Sequence, residues 1–185
     1  MSKISGSLLP GIIASGLGGD LRGYVGRTNY LTLDEFGFSG VITNYQVIED
    51  IDQVGFMNGR NGIIGNPLLS RFDIILDYIN GKMYLRPNRT YKKKFNFDLS
   101  GLQVITSTKS KGNFTVYDVF PGTPASEAGI IPGDEILSIN GLSAKLFRME
   151  FLVSKLQRRP GKRIRLKYLR MNEKRKVEFR LREFL

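Results

Sequence analysis

Apolar and charged residues alternate at period two through the last quarter of the chain. In the segment RIRLKYLR, residues 163–170, Arg or Lys alternates with Ile, Leu and Tyr. This alternation is typical of a β-strand with one face in solvent and the other in a core. Similar strand patterns recur through much of the chain, with only short helical patterns between them. The sequence therefore predicts a mainly β fold, with an α+β arrangement in its second half.

The first half of the chain is rich in glycine and in short strand patterns. The segment SGLGGDLRGYVGRTNYLTL predicts a turn-rich hairpin, and GFSGVITNYQVI predicts a second strand pair. The segment NPLLSRF predicts a short helix that begins at Pro67. The dipeptide Asn80-Gly81 predicts the turn of a further hairpin, between DIILDY and KMYLRP.

Charge is distributed unevenly between the two halves. Residues 1–90 contain eight basic and eight acidic residues, whereas residues 91–185 contain twenty basic and nine acidic residues. The net charge of +11 therefore lies entirely in the second half. A polar stretch with three consecutive lysines follows the strand pattern that ends at Pro87. We predict two domains, residues 1–90 and 96–185, joined by a basic linker at residues 91–95 that charge repulsion keeps extended.

The chain contains no cysteine and no histidine. Their absence excludes disulfides, thiolate zinc sites, cysteine nucleophiles and the Ser-His-Asp triad, and it removes the usual ligand of transition metals. We therefore expect no metal site and no cofactor. No apolar run approaches the roughly 20 residues of a membrane-spanning helix, and the N-terminus lacks the pattern of a signal peptide. Any export signal has been removed or never belonged to this chain, and the sequence does not determine its compartment.

The segment VFPGTPASEAGIIPGDEILSING contains four short motifs in order: Pro124-Ala125, Ala128-Gly129, Gly133-Asp134 and Ile139-Asn140-Gly141. The segment resembles the PDZ domain, in the form common in bacterial proteases, and the resemblance covers nearly all of residues 96–183. Two of the motifs have a clear physical reason: Gly129 can end a helix in the left-handed conformation, and Asn140-Gly141 can form a tight turn. The resemblance implies a short β-barrel or sandwich with two helices.

A PDZ domain binds an extended peptide, usually a free C-terminus, as an added strand, while N–H groups of a Gly-containing loop hold the terminal carboxylate. The resemblance implies a loop of Leu99, Ser100, Gly101 and Leu102, a docking strand of Gln103, Val104 and Ile105, and a helix face of Met149 and Val153. The helix is predicted at residues 148–157, with Leu152 and Leu156 turned to the core. The alternative for Met149 and Val153 is that they too are ordinary core residues. Because no histidine stands at the head of this helix, we predict a preference for apolar ligands.

The basic segments of the second half allow two interpretations. They are the solvent faces of strands whose other faces build the core, or they bind an anionic partner such as nucleic acid, a membrane surface or an acidic peptide. The period-two alternation favours the solvent faces, and no nucleic-acid-binding motif is present. We therefore predict peptide or protein C-terminal segments as partners, and no specific nucleic acid.

The stretch GIIGNPLLSRFDIILDY contains Ile63-Ile64-Gly65, followed by the predicted helix and hairpin. It resembles the C-terminal part of a retropepsin-like aspartic protease lobe over residues 10–87, in which such a motif threads beneath the catalytic loop. The resemblance implies a parent protein that is an endopeptidase, exported to the periplasm or cell surface. Catalysis in that family needs an Asp-Thr-Gly or Asp-Ser-Gly loop, which would lie near or before Met1. This sequence contains neither triplet.

Asp73 and Asp77 are the remaining candidates for a catalytic carboxylate pair. On a strand, residues four apart lie about 13 Å from each other, too far to share a proton. We therefore predict no catalytic residue, an inactive and truncated lobe, and aspartates that cap the helix or face solvent. The alternatives are a peptide-binding or scaffolding protein with no proteolytic role and an enzyme that is complete in these residues. A lobe without its first strands would expose sheet edges, so we also predict self-association through residues 1–90.

Overall fold

The computed structural model describes residues 4–16, 18–46, 62–108 and 112–185. Strands predominate in these ranges, so the predicted mainly β class is confirmed. The described strands are β1 (Ile4–Gly16), β2 (Gly19–Leu33), β3 (Phe36–Gln46), β4 (Phe72–Asp77), β5 (Lys82–Pro87), β6 (Leu102–Thr106), β7 (Phe114–Val119), β8 (Glu135–Ile139), β9 (Leu142–Ser143), β10 (Arg163–Arg170) and β11 (Glu173–Arg180). The described α-helices are α1 (Asn66–Leu69), α2 (Pro124–Glu127) and α3 (Met149–Leu156), and a 3₁₀ turn spans Ala144–Leu146.

The chain divides into two compact units. Residues 1–46 and 96–185 together form the first unit, and residues 47–95 form the second. This division differs from the domains expected from the distribution of charge. That expectation placed residues 1–46 in one domain with the residues that follow them, up to residue 90, whereas the structure groups them with residues 96–185. The contacts that place residues 1–46 with residues 96–185 are long-range ones, which the distribution of charge does not report.

In the first unit, residues 96–185 form a six-stranded antiparallel sheet. Its order is β11-β10-β8-β7-β6, with β9 paired to β8. Strand β10 alternates buried and exposed positions as predicted, with Ile164, Leu166 and Tyr168 turned inward. The apolar faces of the sheet and of the helices α2 and α3 share one core: Leu102, Phe114, Val116, Ala125, Ile130, Ile136, Ile139, Ala144, Leu152, Leu156, Ile164, Leu166, Phe179 and Leu181.

The turns of this sheet lie where the sequence places them. Helix α2 stops before Gly129, which has a φ of +76°. Asn140 and Gly141 have φ values of +49° and +88°, in the left-handed region that a tight hairpin turn requires. The turn between α2 and β8 is held by Asp134, a buried carboxylate that receives two hydrogen bonds from Arg170, at 2.7 and 2.6 Å. The sheet is therefore fixed at both ends of β8.

Strands β1, β2 and β3 form an antiparallel meander that belongs to the same unit. The segment FGFSGVITNYQ is a single strand, β3, paired along its length with β2, so the predicted second strand pair is wrong. The meander packs on the sheet of residues 96–185 through a second cluster, formed by Leu9, Val25 and Phe120 with partly buried Ile13, Ile42, Phe97, Phe184 and Leu185. Phe97, Phe120 and Phe184 of the PDZ-like segment thus contribute to the surface that the meander covers.

In the second unit, α1 is followed by an antiparallel hairpin of β4 and β5. Pro67 lies in the first turn of the helix, and Gly81, with a φ of +61°, lies in the hairpin turn, as predicted. Ile63 and Ile64 are 95% and 44% exposed, and Gly65 is the N-cap residue of α1. No described part of the chain buries the two isoleucine side chains.

Residues 88–94 fold back on Arg71 and are not extended. The Arg71 side chain is buried, and its ring of acceptors consists of the carbonyl oxygens of Pro67, Thr90, Tyr91, Lys93 and Lys94. Its guanidinium also lies 3.6 Å from the centre of the Phe95 ring. Desolvation by burial lowers the pKa of Arg71. The three lysines therefore follow a compact turn, because one buried cation satisfies the carbonyl groups of this segment.

Candidate peptide-binding groove

Strand β6 is the terminal strand of the six-stranded sheet. It is hydrogen-bonded to β7 along one edge, and no described strand pairs with its other edge. The backbone N–H and C=O groups of an edge strand are a template for a further strand. β6 can therefore receive an extended peptide in the manner of β-augmentation.

The side chains of β6 divide between the core, the meander and solvent. Leu102 is 5% exposed and belongs to the core. Gln103 points to the meander, where its Nε2 donates a 2.9 Å hydrogen bond to the Ile12 carbonyl. Val104 is partly exposed and packs against the core, and Ile105 is 40% exposed. Among the strand residues predicted for binding, Val104 and Ile105 have accessible apolar side chains, whereas the Gln103 side chain is already bonded to the meander.

Helix α3 has the phase that the sequence predicted. Leu152 and Leu156 are almost completely buried in the core that Leu102 also enters. Met149 and Val153 are partly exposed, and Met149 packs against the edge of the same core. Residues at i and i+4 share one helix face, so Met149 and Val153 form a partly exposed apolar stripe. Such a stripe has the accessibility that contact with a ligand requires.

The loop before β6 is tied to its surroundings by backbone hydrogen bonds. The Leu99 N–H donates to the Leu156 carbonyl at the end of α3, at 3.0 Å. The carbonyls of Ser100 and Gly101 accept from Ala125 and Phe120, each at 2.9 Å. The loop, α3 and the start of α2 therefore meet at one end of β6.

Gly101 cannot be replaced by a larger residue without strain. Its φ is +86°, and a Cβ atom added to it would lie 2.0 Å from Oγ1 of Thr123. Thr123 is itself buried, and its hydroxyl donates to the Phe120 carbonyl at 2.6 Å. The loop therefore requires glycine at position 101 for two independent reasons, the backbone conformation and the close packing.

Asp98 is a residue of this loop that the sequence analysis missed. Its Oδ1 accepts the N–H groups of Ser100 and Gly101, at 2.8 and 2.5 Å, and the Ser100 hydroxyl at 2.7 Å. Burial raises the pKa of Asp98 to about 6, although the hydrogen bonds from the loop oppose this rise. The order Asp-x-Ser-Gly carries a signal that could have indicated the contact, because Asp side chains commonly accept backbone N–H groups two residues ahead.

The aspartates of the second unit have separate structural contacts. Asp73 forms an exposed ion pair with Arg86 on the neighbouring strand, at 3.0 Å. Asp77 accepts the backbone N–H and the side-chain amide of Asn80, at 3.0 and 2.7 Å, and these bonds lower the pKa of its carboxyl group. One carboxylate therefore links two strands and the other closes the hairpin turn.

The sequence matches a known family over a range that contains α3 but neither β6 nor the loop before it. Residues 115–170 match the profile of the PDZ domain. The chain contains a PDZ domain. PDZ domains bind peptides and commonly recognise the C-terminus of the peptide. No curated protein matches the chain.

Several solved structures are similar to this chain. The photosystem II D1 C-terminal processing protease is 20% identical over 51% of this chain and 25% of its own, with a TM-score of 0.44. The HtrA-type protease AlgW with decapeptide is 16% identical over 97% of this chain and 62% of its own, with a TM-score of 0.47. The serine endoprotease from Yersinia pestis is 17% identical over 98% and 63%, with a TM-score of 0.42. The chain thus spans from a quarter to about three fifths of the length of these proteins.

Two absences concern the described residues alone. No helix among them has the length and apolar character that a membrane crossing requires. They also contain no cluster of three or more Asp, Glu, His or Cys side chains that could hold a metal ion.

Proposed function

We propose that this PDZ domain binds an extended peptide segment as an added strand on β6, alongside α3. The observation that carries the proposal is the position of β6 at the edge of its sheet, with Val104 of β6 and Met149 of α3 packed against the same core. The backbone of β6 supplies the hydrogen bonds, and the side chains beside it supply the contacts that select among ligands.

The proposed ligand is apolar at the positions that enter the groove. The partly exposed residues of the predicted binding set are Leu99, Gln103, Val104, Met149 and Val153, and all of them except Gln103 are apolar. The residues predicted in the loop serve a different purpose, because Ser100, Gly101 and Leu102 are buried. Selection therefore depends on β6 and α3, while the loop closes one end of the groove.

A pair of adjacent helix variants tests this proposal. The probe is a synthetic pool of heptapeptides, half with a free carboxylate and half with a C-terminal amide, from which binders are isolated on the immobilised protein. Val153→Lys introduces a charge at the groove and should weaken the isolated binder roughly 10-fold to 100-fold, since the burial of one valine side chain is lost. Fluorescence anisotropy with the labelled peptide measures the change in Kd.

Ser154→Lys is the matched control. It places the same side chain one residue further along α3, at an exposed position, and should leave the Kd unchanged within about twofold, as for an exposed surface substitution. Equal loss in both variants, or no loss in either, would place binding outside this groove. Failure of the wild-type protein to enrich any peptide would overturn the proposal as a whole.

We also propose, as a finer inference from the retropepsin-like resemblance, that the parent protein is an aspartic endopeptidase. What supports this is the order of elements after Ile63-Ile64-Gly65, a short helix and then a hairpin, which the resemblance implies. The competing proposal is a peptide-binding or scaffolding protein with no proteolytic role. An Asp-Thr-Gly or Asp-Ser-Gly triplet encoded in frame upstream of Met1 favours the endopeptidase, and its absence from the gene favours the scaffold.

A further inference from the structure

The loop N–H groups that would hold a peptide carboxylate already have acceptors within the chain. Ser100 and Gly101 donate their backbone N–H groups to Oδ1 of Asp98, at 2.8 and 2.5 Å. The next N–H group, that of Leu102, donates to Oγ of Ser100 at 3.2 Å, and the same hydroxyl donates to Asp98. Three consecutive donors thus converge on a carboxylate and a hydroxyl that the protein itself supplies.

The loop has little freedom to offer these donors to another acceptor. Besides the bond that Leu99 donates to Leu156 and those that the loop accepts from Ala125 and Phe120, the Leu99 carbonyl accepts the Arg182 N–H at 3.0 Å. The left-handed φ of Gly101 and its close approach to Thr123 fix the orientation of the peptide planes on either side. A rotation of the loop would break several of these bonds together.

An arriving terminal carboxylate would therefore have to displace Asp98. Displacement would leave the Asp98 carboxylate without its hydrogen bonds in a partly buried position, which is costly. It would also bring two like charges together at one end of the groove. A peptide segment without a terminal carboxylate meets neither obstacle, since the edge of β6 is a separate set of donors and acceptors.

We infer that this groove binds internal extended segments, or chain ends whose carboxylate is blocked, and that Asp98 excludes free C-terminal carboxylates. The inference rests on the proposed function and specifies its ligand class. Asp98 acts as an internal substitute for the ligand carboxylate, and its contacts with Ser100 and Gly101 hold the loop in the shape that closes the groove.

The experiment compares two forms of one heptapeptide from the pool, one with a free carboxylate and one with a carboxamide. We expect the wild-type protein to bind the carboxamide at least about tenfold more tightly, because the acid has to replace charge-assisted hydrogen bonds. The comparison needs no variant, so it does not depend on the folding of one. Binding of the free acid as tightly as the carboxamide, or more tightly, would overturn the inference and leave the proposed function in place.

The variant Asp98→Asn tests whether the charge of Asp98 causes the difference in affinity between the two peptide forms. The asparagine keeps an acceptor oxygen for the loop N–H groups and removes the charge, so the gap between the two peptide forms should narrow to within about threefold. Ser154→Lys, as the control, should keep the wild-type gap. A gap that is unchanged in Asp98→Asn would overturn the role of Asp98. If neither peptide form binds the wild-type protein or the variant, the proposed function is wrong and the inference fails with it.

Discussion

Residues 96–185 and residues 62–95 are both built from short antiparallel strands, yet they bury very different amounts of apolar surface. The strands and helices of residues 96–185 enclose a core of fourteen buried residues. In residues 62–95 the buried apolar side chains are Leu68 and Phe72, while Ile75, Leu76, Met83 and Tyr84 on the hairpin are 48% to 68% exposed. A two-stranded hairpin is at best marginally stable alone. The comparison indicates that residues 96–185 enclose a core of their own, whereas β4 and β5 do not bury their apolar residues within the described part of the chain.

Of the substitutions that test this contrast, Leu152→Ala should have the largest effect on the free energy of unfolding. Leu152 is 0% exposed at the centre of α3, and its truncation should lower the free energy of unfolding by about 2–5 kcal/mol, through lost burial and the cavity left behind. Urea unfolding followed by circular dichroism measures the change. The matched hairpin variant Ile75→Ala, at a position 68% exposed, should change it by less than about 0.5 kcal/mol. Equal effects at the two positions would contradict the contrast between the two regions.

Asp98 predicts a pH dependence within residues 96–185. Its pKa in the folded protein is about 6, above the ordinary value of 3.8, so the folded state binds a proton more tightly than the unfolded state does. Its contribution to stability is therefore most favourable below about pH 4 and falls as the pH rises through 6, by up to about 3 kcal/mol. The difference in unfolding free energy between the wild-type protein and Asp98→Asn, measured from pH 4 to 7.5, isolates this contribution from those of other carboxylates. A difference that is constant across this range would show that Asp98 titrates at its ordinary pKa.

Local sequence patterns were sufficient to predict most of residues 96–185. The alternation in β10, the left-handed turn residues and the inward phase of Leu152 and Leu156 all follow from interactions between residues close in sequence. The same kind of signal located α1 and the turn at Asn80-Gly81 in the second unit.

The features that the sequence did not indicate depend on contacts between distant residues. The glycine-rich alternation of residues 4–46 predicts strands. It does not indicate that these strands pack against Phe97, Phe120 and Phe184. Four of the five carbonyl groups around Arg71 belong to a segment about twenty residues away in sequence. Asp98 is close in sequence to its partners, and it was missed because the predicted loop began one residue later, at Leu99. Its carboxylate accepts the N–H groups of Ser100 and Gly101. Self-association through residues 1–90 stays a prediction.

Mapping of backbone amide shifts locates the peptide-binding site and so tests whether β6 and α3 form it. The ¹⁵N-labelled protein is titrated with the carboxamide heptapeptide, and the amide signals of the whole chain are followed together. The account predicts that the largest shifts fall on residues 101–104 and on residues 149–153, with small shifts in residues 62–95. Shifts confined to residues 1–90, with those of β6 and α3 unchanged, would contradict it.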